Sequence, residues 1–275
     1  MAMNTRKVSI GVQLAPQHGD MAPYRSAWML AEAEGVDRIY VADHFHAQII
    51  TKEVYDSAAP PPPVFGGKNF EATTVQAAMA ATTTRAEIGC LVHANSYRNP
   101  NLMADVARTI DHISGGRFIL GMGSGYLEPD YKEYGYELGT AKSRMLDLQR
   151  DIPVIKARFE KLNPKPMRKI PLLIAAMGEG IGMRIAAEHA DIWHLYGELD
   201  KMAEKIEVMK RLCKEIGRDF NEIEIMTNYV PYAVQTGDPD SYLKLGVTHI
   251  ANTIFGPEWD LGPMRELLQW RKNLG

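Results

Sequence analysis

The sequence predicts an α/β protein of the (β/α)8 TIM barrel class, folded as a single domain over residues 1–275, and three observations carry that prediction. Short β-rich runs alternate with longer stretches of helical periodicity along the whole chain, for eight rounds. Eight strand–helix units within about 250 residues match a closed barrel, whereas an open doubly wound sheet usually has fewer strands. Hydrophobic residues make up 45% of the chain and charged residues 24%, enough for one sizeable core and too apolar for a disordered protein. Periodicity does not prove closure, so an open parallel sheet is the structural alternative.

The strands fall at 8–15, 37–45, 86–94, 118–125, 172–178, 191–197, 223–234 and 248–255. Each is followed by a helix, at 21–34, 70–83, 100–113, 142–159, 181–189, 200–216, 239–245 and 261–272, the seventh having the faintest pattern. Boundary chemistry agrees with this count. Gly35 and Gly217 stand where the first and sixth helices stop, and Asn99-Pro100 opens the third with a capping side chain and a proline at the first helical position.

Charge and cysteine content exclude several functions. Thirty-one Lys and Arg against 34 Asp and Glu give a net charge of −3, which argues against nucleic acid or an anionic membrane as partner. Cys90 and Cys213 supply neither a disulfide framework nor a four-thiolate zinc site. The first residues lead into a short alternating segment without the apolar run of a signal peptide or a membrane span, so a reduced, cytoplasmic location is expected.

In a barrel, function collects on the loops after the strands. Two are long, 46–69 and 126–141. The first joins Pro60-Pro61-Pro62-Pro63 to Gly66-Gly67, a stiff stretch beside a flexible pair, which suits either a lid or a plain exposed insertion.

The richest cluster ends the second strand, Ala42-Asp43-His44-Phe45-His46. His44 and His46 lie two apart, face the same way if the strand persists, and titrate near neutrality, so either suits a general acid or base. The plainer reading has Asp43 capping a loop and the imidazoles bonding backbone. A His-x-His pair also opens many binuclear metal sites, and His93 and His194 end other strands. That rival weakens because the first strand ends in Gln13-Leu14-Ala15 and the eighth in Thr253-Ile254-Phe255-Gly256, with no ligand at either exit.

The fourth strand carries Gly121, Gly123 and Gly125 on one face, room for a flat ligand or for tight interior packing, and Ser124, Tyr126 and Glu128 follow toward the ligand's edge. After the fifth strand comes Ala175-Ala176-Met177-Gly178-Glu179-Gly180, running directly into a helix. Such a turn exposes main-chain N–H groups at the positive end of a helix dipole, an anion site that implies a phosphate-bearing cofactor, although an ordinary strand-to-helix turn also uses these glycines. Arg184 and Arg98 are candidates for the balancing charge.

Taken in order, these segments resemble the luciferase-like flavin and deazaflavin oxidoreductases, the superfamily of bacterial luciferase and of enzymes using coenzyme F420. The specific stretches are Val41 to Phe45, Ile88-Gly89 followed by Asn95 to Pro100, Asp111 to Gly125, and the blocks IPLLIAAMGEG and AAEHADIW between Ile170 and Trp193. The resemblance implies a barrel whose tricyclic ring lies over the strand ends, with its phosphate stem on Met177 to Gly180. It implies a non-prolyl cis peptide at Leu91-Val92 or Val92-His93, which makes Leu91, Val92 and His93 cofactor neighbours. Asp-His at the second strand's exit is closer to the deazaflavin branch, so F420 is expected and FMN is the alternative, the latter giving a monooxygenase. His44 is then the acid or base, with Asp43 orienting it or touching the ring. A small-molecule substrate and a homodimer are further implications. Two departures stand out: the link 158–169 is short and basic where relatives have an insertion, and the third strand's exit lacks a small polar residue that some deazaflavin relatives carry.

Overall fold

A computed structural model of the chain describes residues 7–49, 62–178, 180–229 and 237–274. The strands are β1 (Ser9–Leu14), β2 (Arg38–Val41), β3 (Ala47–Gln48), β4 (Pro63–Val64), β5 (Glu87–Cys90), β6 (His93–Ala94), β7 (Leu120–Gly123), β8 (Leu172–Ile174), β9 (Ile192–His194), β10 (Glu224–Tyr229) and β11 (His249–Ile254). The helices are α1 (Met21–Ala33), α2 (Ala72–Thr82), α3 (Pro100–Ser114), α4 (Glu128–Tyr134), α5 (Ala141–Lys161), α6 (Ile181–His189), α7 (Leu199–Glu215), α8 (Pro239–Lys244) and α9 (Gly262–Lys272).

Nine strands form one parallel sheet in the order β5-β2-β1-β11-β10-β9-β8-β7-β6. β5 and β6 are the two halves of the third barrel strand, separated by a cis peptide between Leu91 and Val92, one of the two bonds the resemblance indicated. A parallel bridge from Ile88 to Phe118, with Ile119 N–H donating to the Ile88 carbonyl at 2.8 Å, joins β5 to the chain entering β7 and closes the ring. The closed barrel, rather than the open sheet, is therefore the architecture.

Alternation along each strand sends one set of side chains inward and the other against the helices. Tyr40, Leu91, Ile119, Leu173, Ile192, Met226 and Ala251 fill the barrel's middle as a cluster of their own, while a larger apolar layer lies between strands and helices. Beneath the middle layer, Arg38 pairs with Glu87 and Glu224 at 2.8 Å each and meets His249, so the N-terminal end is plugged by a charged network. Gly121 shows why glycine is required on β7: a Cβ there would meet the Cys90 carbonyl at 1.9 Å, and one on Gly123 would meet a Val92 methyl at 2.6 Å. The side-chain-free face thus admits the neighbouring strand, the packing alternative in the sequence reading.

The boundary signals act as expected. The Asn99 side chain accepts from the N–H groups of Asn101 and Leu102, and Gly35 and Gly217 take left-handed φ values of 102° and 71° just past their helices. Strands are shorter than their sequence patterns at the C-terminal ends, where the chain turns into loops; residues 230–234 of the seventh lie outside the described residues. The long loops hold order that the sequence did not announce: the β3–β4 pair in the first and α4 in the second. Of the proline run, Pro60 and Pro61 lie outside the described residues.

Candidate active site

The second strand delivers Asp43, His44 and His46 to the barrel mouth, but to different partners. Asp43 is buried and receives both Arg98 guanidinium nitrogens, at 2.6 and 2.9 Å, together with Ala94 N–H at 3.2 Å and His93 Nδ1 at 3.3 Å. Burial alone would raise its pKa; hydrogen bonds from His93 and Arg98, with the Arg98 charge, outweigh burial and hold it well below the usual carboxylate range. Arg98 also reaches Glu71, so that guanidinium is shared between two carboxylates. His93 is held neutral by burial against the opposing pull of Asp43, and since a carboxylate only accepts, its proton sits on Nδ1. Its Nε2 is buried without a hydrogen-bond partner.

The carboxylate on His44 comes from elsewhere. Nδ1 of His44 lies 3.0 Å from Oδ2 of Asp130, on α4. Asp130 is fully buried and also accepts from Tyr97 Oη at 2.8 Å, from the His46 main chain at 3.0 Å and from His46 Nδ1 at 2.6 Å. These donors overcome the effect of burial and lower its pKa. With Nδ1–H committed to Asp130, His44 keeps Nε2 as a basic lone pair, 3.5 Å from the Tyr126 hydroxyl, which in turn accepts from Gln48 Nε2 at 3.0 Å.

His46 differs from His44 although both follow the same strand. Its Nε2 is 2.6 Å from Glu133 and its Nδ1 faces Asp130, so two carboxylates overcome burial and raise its pKa. It is a cationic clamp that ties the second strand's exit to α4, and it leaves no lone pair for catalysis. Phe45, between them, stacks on Tyr97 at 4.6 Å and on Tyr134 at 4.0 Å and fixes the same junction.

The inner rim has two unlike halves. Ala42, Gly123 and Ala175 follow the inward positions of β2, β7 and β8 and present almost no side chain. Opposite them, His194, Asn228, Thr253 and Gln13 continue the inward positions of β9, β10, β11 and β1 and present polar atoms. Leu91 and Val92 lie in the wall between β2 and β7. Ser124 and Gly125 leave the rim just beyond, their carbonyls held by Tyr131 Oη at 3.3 Å and Arg144 Nε at 2.9 Å.

The turn after β8 is open. Ala176 is buried, its carbonyl accepting from Trp193 Nε1 at 3.2 Å. Met177 accepts from Lys205 Nζ at 3.0 Å. A methyl group on Gly178 or Gly180 would meet nothing within 4 Å, and Gly180, at φ 91°, caps α6 without a side-chain hydrogen bond, while Met183 N–H already donates to the Gly178 carbonyl at 3.3 Å. Glu179 lies outside the described residues. Arg184 turns away to Glu215 at 3.5 Å, so the cation beside this turn is Lys205.

Asp130 and Lys205 are the most consequential of the residues that the sequence did not single out. Asp130 had a signal in Glu128-Pro129-Asp130, acidic residues and a proline that open a helix, whereas Lys205 is one cation among many on α7. Among the described residues, no group of three or more His, Cys, Asp or Glu is placed to hold a metal ion, and no helix is long and apolar enough to cross a membrane.

A parallel barrel that gathers imidazoles, carboxylates and a glycine turn at the C-terminal ends of its strands has the layout of the barrel enzyme class, whose sites collect there. Within it, the chain belongs to the luciferase-like monooxygenase family, whose model matches residues 15–241. Its curated relatives include the pyrimidine monooxygenase RutA of Cronobacter sakazakii, 26% identical over 234 residues that cover 75% of this chain and 64% of RutA, so the chain spans less than two thirds of that relative. Solved structures share the fold over nearly the full length. The coenzyme F420 dependent tetrahydromethanopterin reductase of Methanopyrus kandleri has a TM-score of 0.69 at 17% identity, covering 96% of this chain and 97% of its own. An F420-dependent secondary alcohol dehydrogenase has a TM-score of 0.75 at 16% identity, covering 94% and 96%. The long-chain alkane monooxygenase LadA has 0.71 at 14%, covering 96% and 90%.

Proposed function

We propose that this protein moves hydride between coenzyme F420 and a small organic substrate, with FMN as the alternative coenzyme. The observation that carries the reading is His44, its Nδ1 committed to Asp130 and its Nε2 turned to the rim, where it meets the Tyr126 hydroxyl at 3.5 Å. When bound, a ring of this kind supplies a carbon that gives or takes hydride, and a substrate that exchanges hydride at a carbon bearing oxygen or nitrogen must also exchange a proton. His44 Nε2 takes or returns that proton, and the imidazolium formed is stabilised through Nδ1–H by Asp130. Asp43 stays ionised and acts on position, holding Arg98 and His93 and with them the chain from Ala94 to Arg98.

The donor set fits the coenzyme. The half-rim of Ala42, Gly123 and Ala175 projects almost no side chain toward a flat ring, and the open surroundings of Gly178 and Gly180 beside Lys205 suit its anionic stem. A base kept ready supports F420, since transfer without oxygen leaves the substrate's proton to the protein. The monooxygenase names of RutA and LadA support FMN. Titration of the purified protein with F420 and with FMN tests the reading through tryptophan fluorescence, because the Trp193 indole is bonded to the turn at Ala176. Saturable quenching that is tighter with F420 is expected; a response to FMN alone moves the assignment to that coenzyme, and a response to neither removes it.

A further inference from the structure

The polar half of the rim is wired in one direction. Gln13 Nε2 is 2.7 Å from the Leu91 carbonyl, which can only accept, so the amide orientation of Gln13 is fixed and its Oε1 faces Thr253 Oγ1 at 2.9 Å as an acceptor. The single Thr253 hydroxyl proton is spent there. Asn228 must therefore donate to Thr253 Oγ1 through Nδ2, at 2.9 Å, which leaves Asn228 Oδ1 facing the barrel as a bare acceptor, buried without a partner. Register places His194 beside it: His194 pairs with Met226, and Asn228 is the next inward residue along β10.

His194 is also buried, and neither ring nitrogen has a hydrogen bond of normal length and angle. Burial brings its pKa down to about 4, against the opposing effect of the Asn228 side chain within weak hydrogen-bonding reach, so the ring is neutral and carries one N–H and one lone pair. Among the described residues, the inward positions of β9, β10, β11 and β1 at this level carry no cation, and Arg38, two layers down, is paired with Glu87 and Glu224. Unpaired polar atoms in such a place select against apolar molecules, because each atom left unsatisfied costs about 1–3 kcal/mol.

We infer that His194 and Asn228 are the specificity pair of this enzyme, reading a neutral substrate by an edge that carries a carbonyl next to an N–H, as in a lactam, urea or cyclic imide. The carbonyl accepts from the His194 N–H and the substrate N–H donates to Asn228 Oδ1. This rests on the proposed function only in calling the bound molecule a substrate.

The test uses the full chain with isotopically labelled histidine and glutarimide as the probe, with N-methylglutarimide and cyclohexanone as controls that lack the N–H. A saturable shift of the His194 ring resonances with glutarimide, at least about tenfold weaker with either control, is expected. Asn228→Val should weaken glutarimide about tenfold and leave cyclohexanone unchanged; Asn228→Ser serves if the first variant does not fold. Equal binding of all three probes, or no shift of His194 up to the solubility of glutarimide, overturns the inference. F420 and FMN titrations of Asn228→Val separate the other source of such an edge, the coenzyme ring itself. Unchanged coenzyme affinity supports the substrate assignment, and a tenfold loss gives the pair to the ring and overturns it. Failure of both coenzymes to bind the wild type removes the proposed function, while the glutarimide titration still decides this pair.

Discussion

His44 and Asp130 meet at 3.0 Å across 86 residues of sequence. That contact leaves Nε2 of one of two similar imidazoles as its acceptor nitrogen, met by the Tyr126 hydroxyl at 3.5 Å, while the other, His46, is held between Asp130 and Glu133 as a cation. Two histidines on one strand exit acquire different chemistry because one carboxylate serves both and a second serves only one.

Asp130→Asn keeps the shape of the side chain but removes its charge and makes one acceptor a donor. Turnover should fall by roughly 10²–10⁴-fold, with the pH dependence of kcat/KM changed, while far-UV circular dichroism stays native. His44→Ala should lower turnover comparably and leave coenzyme affinity intact. If turnover in His44→Ala equals that of the wild type, the proton-transfer role is lost.

His46 makes stability depend on pH. Its folded-state pKa is raised, because the hydrogen bonds and charge of Asp130 and Glu133 outweigh burial. The stabilisation is therefore complete below the unfolded-state value of about 6.5 and fades as pH rises through the folded value. Urea midpoints of wild type and His46→Gln should differ most below that value and converge above it. A difference that grows with pH contradicts the clamp.

Arg98→Ala leaves Asp43 buried opposite only a neutral imidazole and a main-chain N–H. A loss of about 3–5 kcal/mol in unfolding free energy is expected, and Arg98→Lys should recover part of it without the paired hydrogen bonds. Denaturant titration measures both.

Two glycines near the rim should respond in opposite ways. Gly121→Ala puts a methyl group 1.9 Å from the Cys90 carbonyl, where only backbone can give, so insoluble protein or a loss beyond about 3 kcal/mol is expected. Gly178→Ala meets nothing within 4 Å and should change stability by less than about 0.5 kcal/mol. Thermal melts of the two variants decide this.

Lys205→Gln removes the cation beside the turn after β8. Affinity for whichever coenzyme binds should fall about tenfold, and the salt dependence of binding should weaken, both read by isothermal titration. An unchanged affinity would place the phosphate elsewhere.

Much of this molecule is written locally. Alternation of strand and helix, the Asn99-Pro100 start and the stops at Gly35 and Gly217 all depend on neighbours within a turn or two, so they can be read along the chain. The same holds for the cluster at Asp43 to His46 and the glycine turn at Met177 to Gly180, because a strand's end and a helix's start are themselves local features.

What the chain could not disclose by itself is which groups meet. Closure of the barrel sets Gly121 against the Cys90 carbonyl, so spacing that suggested room for a ligand serves a neighbouring strand. It gives Asp43 to Arg98 and His93, and Asp130 to His44, although Asp43 and His44 are adjacent in sequence. Adjacent side chains on an extended strand point to opposite faces, so the partner of each is chosen by whatever the fold packs against that face. Protonation states follow from those partners and from burial, and both are properties of the assembled barrel.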